Sequence, residues 1–266
     1  MKIAYIISAY QYPSQLIRLV RALNSPNAIF LVHVDKKTNS ADYARMRNGL
    51  RDLSNVTFMP RQKCYWGEFG HVRATLTGMA ELIDKRIDFD YAVLLTGQDY
   101  PIKPVAYIEQ CFRDSGGQQF IEYDLILDDA QQRRSTTYPK TGKRAAFYAE
   151  HWHIRLFGKH FWLPRHNRQL EWSRESLIGS IARLFFENQE LPRHYQIFAG
   201  SSYWCLTRNC VIYVNSFVRE NPNFVSFFNH VFIPDEIFFQ TIVLNSPFQD
   251  SVVNDNLRCI DWSEGG

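Results

Sequence analysis

Cysteines are few and badly spaced for metal or disulfide chemistry. There are five, at positions 64, 111, 205, 210 and 259, with no C-x-x-C pair among them. The odd count and the spacing argue against a disulfide scaffold or a zinc cluster and fit a reducing compartment. No apolar run reaches the length of a membrane span. Met1–Ser8 is apolar, but it is short and no small-residue cleavage site follows, so it reads as a buried strand rather than a leader. There is no G-x-S-x-G, no Walker loop and no G-x-G-x-x-G. Hydrolase triads, P-loop phosphoryl transfer and hydride transfer thereby lose their support. A formal net charge of +3 is too small to argue for nucleic acid.

What is present is a globular chain of 266 residues, long enough to bury a substantial core. Hydrophobic residues make up 45% and aromatics 15%, with 14 Tyr and 6 Trp available to pack a core or stack on rings. Continuous apolar runs at Ile3–Ser8, Ala28–Val34 and Tyr91–Leu95 predict parallel strands covered on both faces. Val56–Met59 reads as a shorter strand. Helical spacing predicts helices over Ser14–Leu23, Asp42–Leu53 and Phe69–Arg86. The alternation implies an α/β fold with a mainly parallel central sheet flanked by helices. Farther on, Gln118–Tyr123 and Phe198–Leu206 read as strands, and Arg208–Arg219 as a helix. Another helix is expected within Gln169–Gln189. Residues 124–167 look irregular. Arg133, Arg134, Lys140, Lys143 and Arg144 form a basic cluster that is either a solvated loop or an anion site.

Ligands of open α/β sheets collect at the carboxyl ends of the strands. Three segments stand there: Ala9-Tyr10-Gln11, Asp35-Lys36-Lys37 and Thr96-Gly97-Gln98-Asp99-Tyr100-Pro101. The only D-x-D, Asp88-Phe89-Asp90, precedes its strand and so sits at the wrong end of the sheet. Asp99 without a companion is a poor divalent-cation site, and Asp128-Asp129 is a weaker candidate still. His151 and His153 lack an evident third ligand. Pro234-Asp235-Glu236 opens an apolar helical run. Asp235 is expected to cap that helix, with Pro234 holding the preceding residue extended and Glu236 kept ionised by the helix dipole. Gly200-Ser201-Ser202-Tyr203-Trp204 is a small-residue turn entering an aromatic strand, suited to close approach and ring stacking.

Taken in order, several blocks resemble the core-2/I-branching β-1,6-N-acetylglucosaminyltransferase family, which also contains the protein xylosyltransferases. They are His33-Val34-Asp35-Lys36-Lys37, Trp66-Gly67, Leu94 to Lys103, Gly200 to Trp204, Pro234 to Thr241, and Asn256 to Trp262. The resemblance implies one GT-A-type nucleotide-diphospho-sugar transferase domain over 1–266, with a nucleotide-binding half at 1–115 and an acceptor-binding half at 116–266. It implies inverting transfer from a UDP-sugar, often UDP-N-acetylglucosamine, to a glycan hydroxyl, with no metal and no cofactor. Glu236 would be the general base. Asp35, Trp66, Gly67, Gln98, Asp99 and Arg258 would serve the donor. Ser202, Tyr203, Trp204 and Asp235 would serve the acceptor.

Departures from the family are visible. A C-terminal basic segment that clamps the diphosphate in relatives is missing after Trp262, leaving Arg258 as the last cation. Gly70 replaces a serine, and Tyr10 replaces a frequent histidine. A non-catalytic nucleotide-sugar or glycan-binding domain therefore stays open, as does a metal-dependent transferase using Asp99. The composition and the resemblance lead us to expect a cytoplasmic protein in polysaccharide biosynthesis, peripheral at the inner face of a membrane, with no nucleic-acid partner.

Overall fold

The run Ile3–Ala9 forms the central strand of the molecule, β1, and its alternation of faces explains the two cores on either side. A computed structural model describes residues 1–126, 147–148, 151–156, 159–164 and 195–260. Beside β1 lie β2 (Ala28–Val34) and β4 (Tyr91–Thr96), both parallel to it, and β3 (Val56–Phe58) pairs with β2. Beyond β4 come β10 (Trp204–Thr207), β5 (Gln119–Ile121) and β11 (Val252–Val253). The seven-stranded order is β11-β5-β10-β4-β1-β2-β3, and β10 is the antiparallel member. Two short pairs stand apart: β6 (Asp124–Leu125) with β9 (Phe198–Ala199), and the hairpin of β7 (His151–Leu156) and β8 (Lys159–Pro164).

Odd-numbered residues of β1 (Ile3, Tyr5, Ile7) face a core closed by α1 (Pro13–Leu23), α2 (Ser40–Gly49) and α4 (Val105–Asp114). Even-numbered ones (Ala4, Ile6) face a second core, closed by α3 (Gly70–Asp84), α5 (Arg208–Glu220), α6 (Pro222–Phe228) and α7 (Phe238–Leu244). All seven residues of α7 are buried. Burying each of its large apolar side chains is worth about 1.5–3 kcal/mol, so this short helix is a firm anchor for whatever precedes it.

The three long parallel strands and α1, α3 and α5 fall where the periodicity predicts them. The α2 helix starts earlier than expected, because Asn39 caps it by accepting the Asp42 N–H at 2.8 Å. The strand predicted over Phe198–Leu206 is broken in two by the Gly200–Tyr203 turn. The helix expected within Gln169–Gln189, the basic cluster from Arg133 to Arg144, and Asp128-Asp129 lie outside the described residues. No described helix is long and apolar enough to cross a membrane.

Candidate active site

The chain runs from β1 outward through β2 to β3, then returns to lay β4 on the other side of β1. That reversal opens a crevice at the carboxyl ends of β1 and β4. Gly97 N–H donates to Ser8 O at 2.8 Å, and Asp35 N–H donates to Ala9 O at 2.8 Å, tying the three strand ends together. Asp35 is buried. Its carboxylate accepts from Lys37 N–H at 2.8 Å and faces Lys37 Nζ at 3.4 Å. Asp99 turns back on its own strand and accepts the Thr96 N–H at 2.6 Å. Burial pushes the Asp99 carboxyl up, against the pull of the Thr96 N–H and the Arg258 guanidinium. Gln98 is exposed, and its amide donates to Tyr10 Oη at 3.4 Å.

Arg258 reaches this rim from the far end of the sequence. Its Nη2 donates to Leu94 O at 2.9 Å, and its guanidinium lies 5.5 Å from the centre of the Tyr203 ring. It also donates to the Asn256 and Leu257 carbonyls and meets the buried Cys205 thiol, and no carboxylate forms an ion pair with it among the described residues. Tyr203 is held protonated chiefly by burial, with Asp99 adding to the effect.

Asp35, Gln98 and Asp99 thus stand at strand ends on the crevice rim, and the fold brings Arg258 to the same rim. Trp66 and Gly67 lie instead against the segment that carries Glu236. Trp66 is 71% exposed, its ring edge-on to Phe232 at 5.0 Å. Gly67 has φ 73°, and a Cβ there would stand 2.2 Å from a Phe232 ring carbon. Gly67 O accepts the Ile233 N–H at 3.0 Å.

Four local expectations are corrected. Pro234 does not hold its predecessor extended: Ile233 is left-handed, φ 52° and ψ 53°. A β-branched residue there carries backbone strain, which the Gly67 hydrogen bond and the Phe232 packing sustain. Asp235 is no helix cap, since its carboxylate accepts from Ser202 Oγ at 2.8 Å. Glu236 belongs to a single 3-10 turn, Pro234–Glu236, ahead of α7. Its carboxyl is raised to about 7, by burial first and then by the Asp235 and Glu122 carboxylates, so desolvation overrides any helix dipole. Trp204, expected at the acceptor, is fully buried and packs on Phe239 at 5.7 Å. The first residue of β10 points into the core, which leaves Tyr203, one position earlier, to face the crevice.

Sequence reasoning missed Glu122, Ser201, Gln240 and the structural part of Asn256. Asn256 Nδ2 donates to Glu122 Oε2 at 2.7 Å and to Ser201 Oγ at 2.6 Å, and Gln240 Nε2 donates to Ser201 O at 2.6 Å. Asn256 stands in a block quoted above and was open to notice. Glu122 carries no local signal. A polar cavity of about 490 Å³ adjoins this network, with Glu122, Asp124, Asp255, Asn256 and Arg258 in its wall. Among the described residues no three His, Cys, Asp or Glu converge as a metal-ligand set. His153 and His160 pair at 2.7 Å, and burial holds His153 down at about 4, a neutral structural contact.

A mostly parallel sheet with helices on both faces, its crevice at a strand-order reversal and a carboxylate beside it, is a GT-A-like α/β architecture. The chain belongs to the Core-2/I-Branching enzyme family, whose pattern it matches over residues 3–266. It is similar to xylosyltransferase 1 of Homo sapiens, 24% identical over 273 residues, covering 99% of this chain and 24% of that protein. Xylosyltransferase 2 of Rattus norvegicus is 24% identical over 269 residues, covering 99% and 27%. Beta-1,3-galactosyl-O-glycosyl-glycoprotein beta-1,6-N-acetylglucosaminyltransferase 4 of Danio rerio is 22% identical over 243 residues, covering 90% and 49%. The chain therefore spans between about a quarter and a half of the length of these relatives.

Proposed function

We propose that this domain transfers a sugar from a UDP-sugar to a hydroxyl of a glycan acceptor with inversion, and that Glu236 is the general base. The observation that carries this reading is the Glu236 carboxyl, half-buried beside Asp235 and Glu122 and raised to about 7. A base with its pKa near the working pH combines availability with proton affinity. The acceptor hydroxyl gives its proton to Glu236 as its oxygen attacks the anomeric carbon, and the bond from that carbon to the diphosphate breaks. Negative charge then grows on the departing UDP. Arg258, whose guanidinium holds backbone carbonyls and the Cys205 thiol and pairs with no carboxylate among the described residues, would receive it. The polar cavity walled by Glu122, Asp124, Asp255 and Asn256 offers the acceptors and donors that sugar hydroxyls need.

Donor and acceptor are tested together by following UDP release from UDP-N-acetylglucosamine and UDP-xylose with a panel of sugar acceptors. Acceptor-dependent release supports transfer. UDP binding without release, with every acceptor, indicates a non-catalytic binding domain. Transfer is expected to persist at an unchanged rate in excess EDTA, because Asp99 spends an oxygen on the Thr96 N–H and lacks companion ligands among the described residues. Loss in EDTA with recovery in manganese would overturn the metal-free mechanism. A peripheral site at the inner face of a membrane remains part of this proposal, and flotation with anionic vesicles checks it.

A further inference from the structure

Between α1 and α4, on the sheet face opposite α7, runs a second cavity of about 480 Å³. Its size lies in the range of about 300–1,000 Å³ typical of small-molecule sites. Most of its wall is apolar: Leu19 and Leu23 from α1, Ile108 and Phe112 from α4, and Val93 and Leu95 from β4. Among the polar groups of its wall, two are buried donors with no hydrogen-bond partner among the described residues: Tyr5 Oη and Arg258 Nε. Tyr5 is only 2% exposed, in the middle of the central strand. A buried donor left unpaired costs about 1–3 kcal/mol, so two in one cavity mark a place where an acceptor atom belongs. The Arg258 guanidinium is close enough to act on the Tyr5 phenol. Asp99, also in the wall, is already engaged by the Thr96 N–H. Lys103 stands at the mouth, its ammonium 5.5 Å from the Tyr107 ring.

We propose that this cavity binds an anionic amphiphile, its head accepting hydrogen bonds from Tyr5 Oη and Arg258 Nε and its apolar body lying between α1 and α4. The head chemistry is a carboxylate or a phosphate, which both donors satisfy. The site stands whether or not Glu236 is the catalytic base.

Two native thiols make it testable. Cys111 and Cys259 both line the cavity and are both exposed, whereas Cys64, Cys205 and Cys210 are buried. Calorimetric titration of the whole protein with hexanoate, octanoate and decanoate is expected to show affinity rising about fourfold per methylene. Decyl glucoside, which has the tail without the charge, is expected to bind at least about tenfold more weakly than decanoate. Decyl phosphate run alongside decanoate names the head group by the tighter of the two. Decanoate should slow iodoacetamide modification of Cys111 and Cys259, and UDP alone should not. Tyr5→Phe should weaken decanoate about tenfold. Ile108→Trp, at a half-buried position on α4, should abolish binding by filling the space, and it serves if the Tyr5 variant fails to fold. Affinity independent of chain length, unchanged alkylation of Cys111 under decanoate, or equal protection by UDP would each overturn the proposal.

Discussion

Glu236→Gln is expected to lower the turnover number by about 10²–10⁴-fold while leaving UDP affinity unchanged. The carboxamide keeps the shape of the carboxylate and cannot take the acceptor proton. In the wild-type protein the rate should climb with pH through about 7, because only ionised Glu236 is a base. The Gln variant's residual rate should lack that limb. The same substitution should make the protein more stable above pH 7. The carboxyl titrates at about 7 when folded, against about 4.5 for an ordinary glutamate. Below pH 4.5 both states are protonated and the group contributes nothing. Between those values the unfolded chain releases its proton first, so stability falls as pH rises, and the full cost is reached above the folded value. Allowing for partial solvent access, the variant should gain on the order of 2 kcal/mol at pH 8 and almost nothing at pH 4. Urea unfolding at the two pH values, set beside UDP-release kinetics, measures both effects. A variant that keeps full transfer activity, or one equally stabilised at pH 4, would remove the assignment.

Gly200→Ala should be the most damaging single methyl group in the site. A Cβ at Gly200 would stand 1.8 Å from the Glu122 carbonyl oxygen and 2.6 Å from its carbon, and both are backbone atoms that no rotamer change can move. The Gly200 N–H also donates to Glu236 O at 2.8 Å, so the same displacement pulls on the Pro234–Glu236 turn. Glu122 would shift as well, and with it the Asn256 bridge to Ser201. We expect a loss of about 3 kcal/mol or more, the upper end of overpacking costs, at every pH. Gly116→Ala is the control. It has φ 65° with nothing within 4 Å, so only backbone strain applies, about 1 kcal/mol. Equal urea midpoints for the two variants would show that the chain around Gly200 yields to a methyl group.

The position of Gly200 bears on why some of this site could be read beforehand and some could not. Its presence in a small-residue turn was visible. The carbonyl it must clear belongs to Glu122, in the link between β5 and β6, which meets it only after the sheet closes. Trp204 shows the same limit. An aromatic beside a glycine turn reads equally well as a stacking platform or as core, and strand phase decides between them: Trp204 faces Phe239, and Tyr203 faces Arg258. Ile233 shows it in reverse. The residue before a proline is normally extended, and only the contacts of Gly67 and Phe232 hold this one left-handed.

Strands β1, β2 and β4, helices α1, α3 and α5, and the blocks at the strand ends were legible from the chain alone, because apolar runs and helical spacing depend on neighbours a few residues apart. That local information was enough for the fold class and the family, and for placing Asp35, Gln98 and Asp99 on one rim. The charge state of Glu236 was not in it. The first turn of a helix argues for an ionised carboxylate, and the folded molecule does the opposite, because Glu122 and Asp235 crowd a side chain already taken out of water. Nor could the sequence bring Arg258 to Leu94, 164 positions away. Desolvation and charge proximity are properties of what surrounds an atom in space, and only the packed chain decides that.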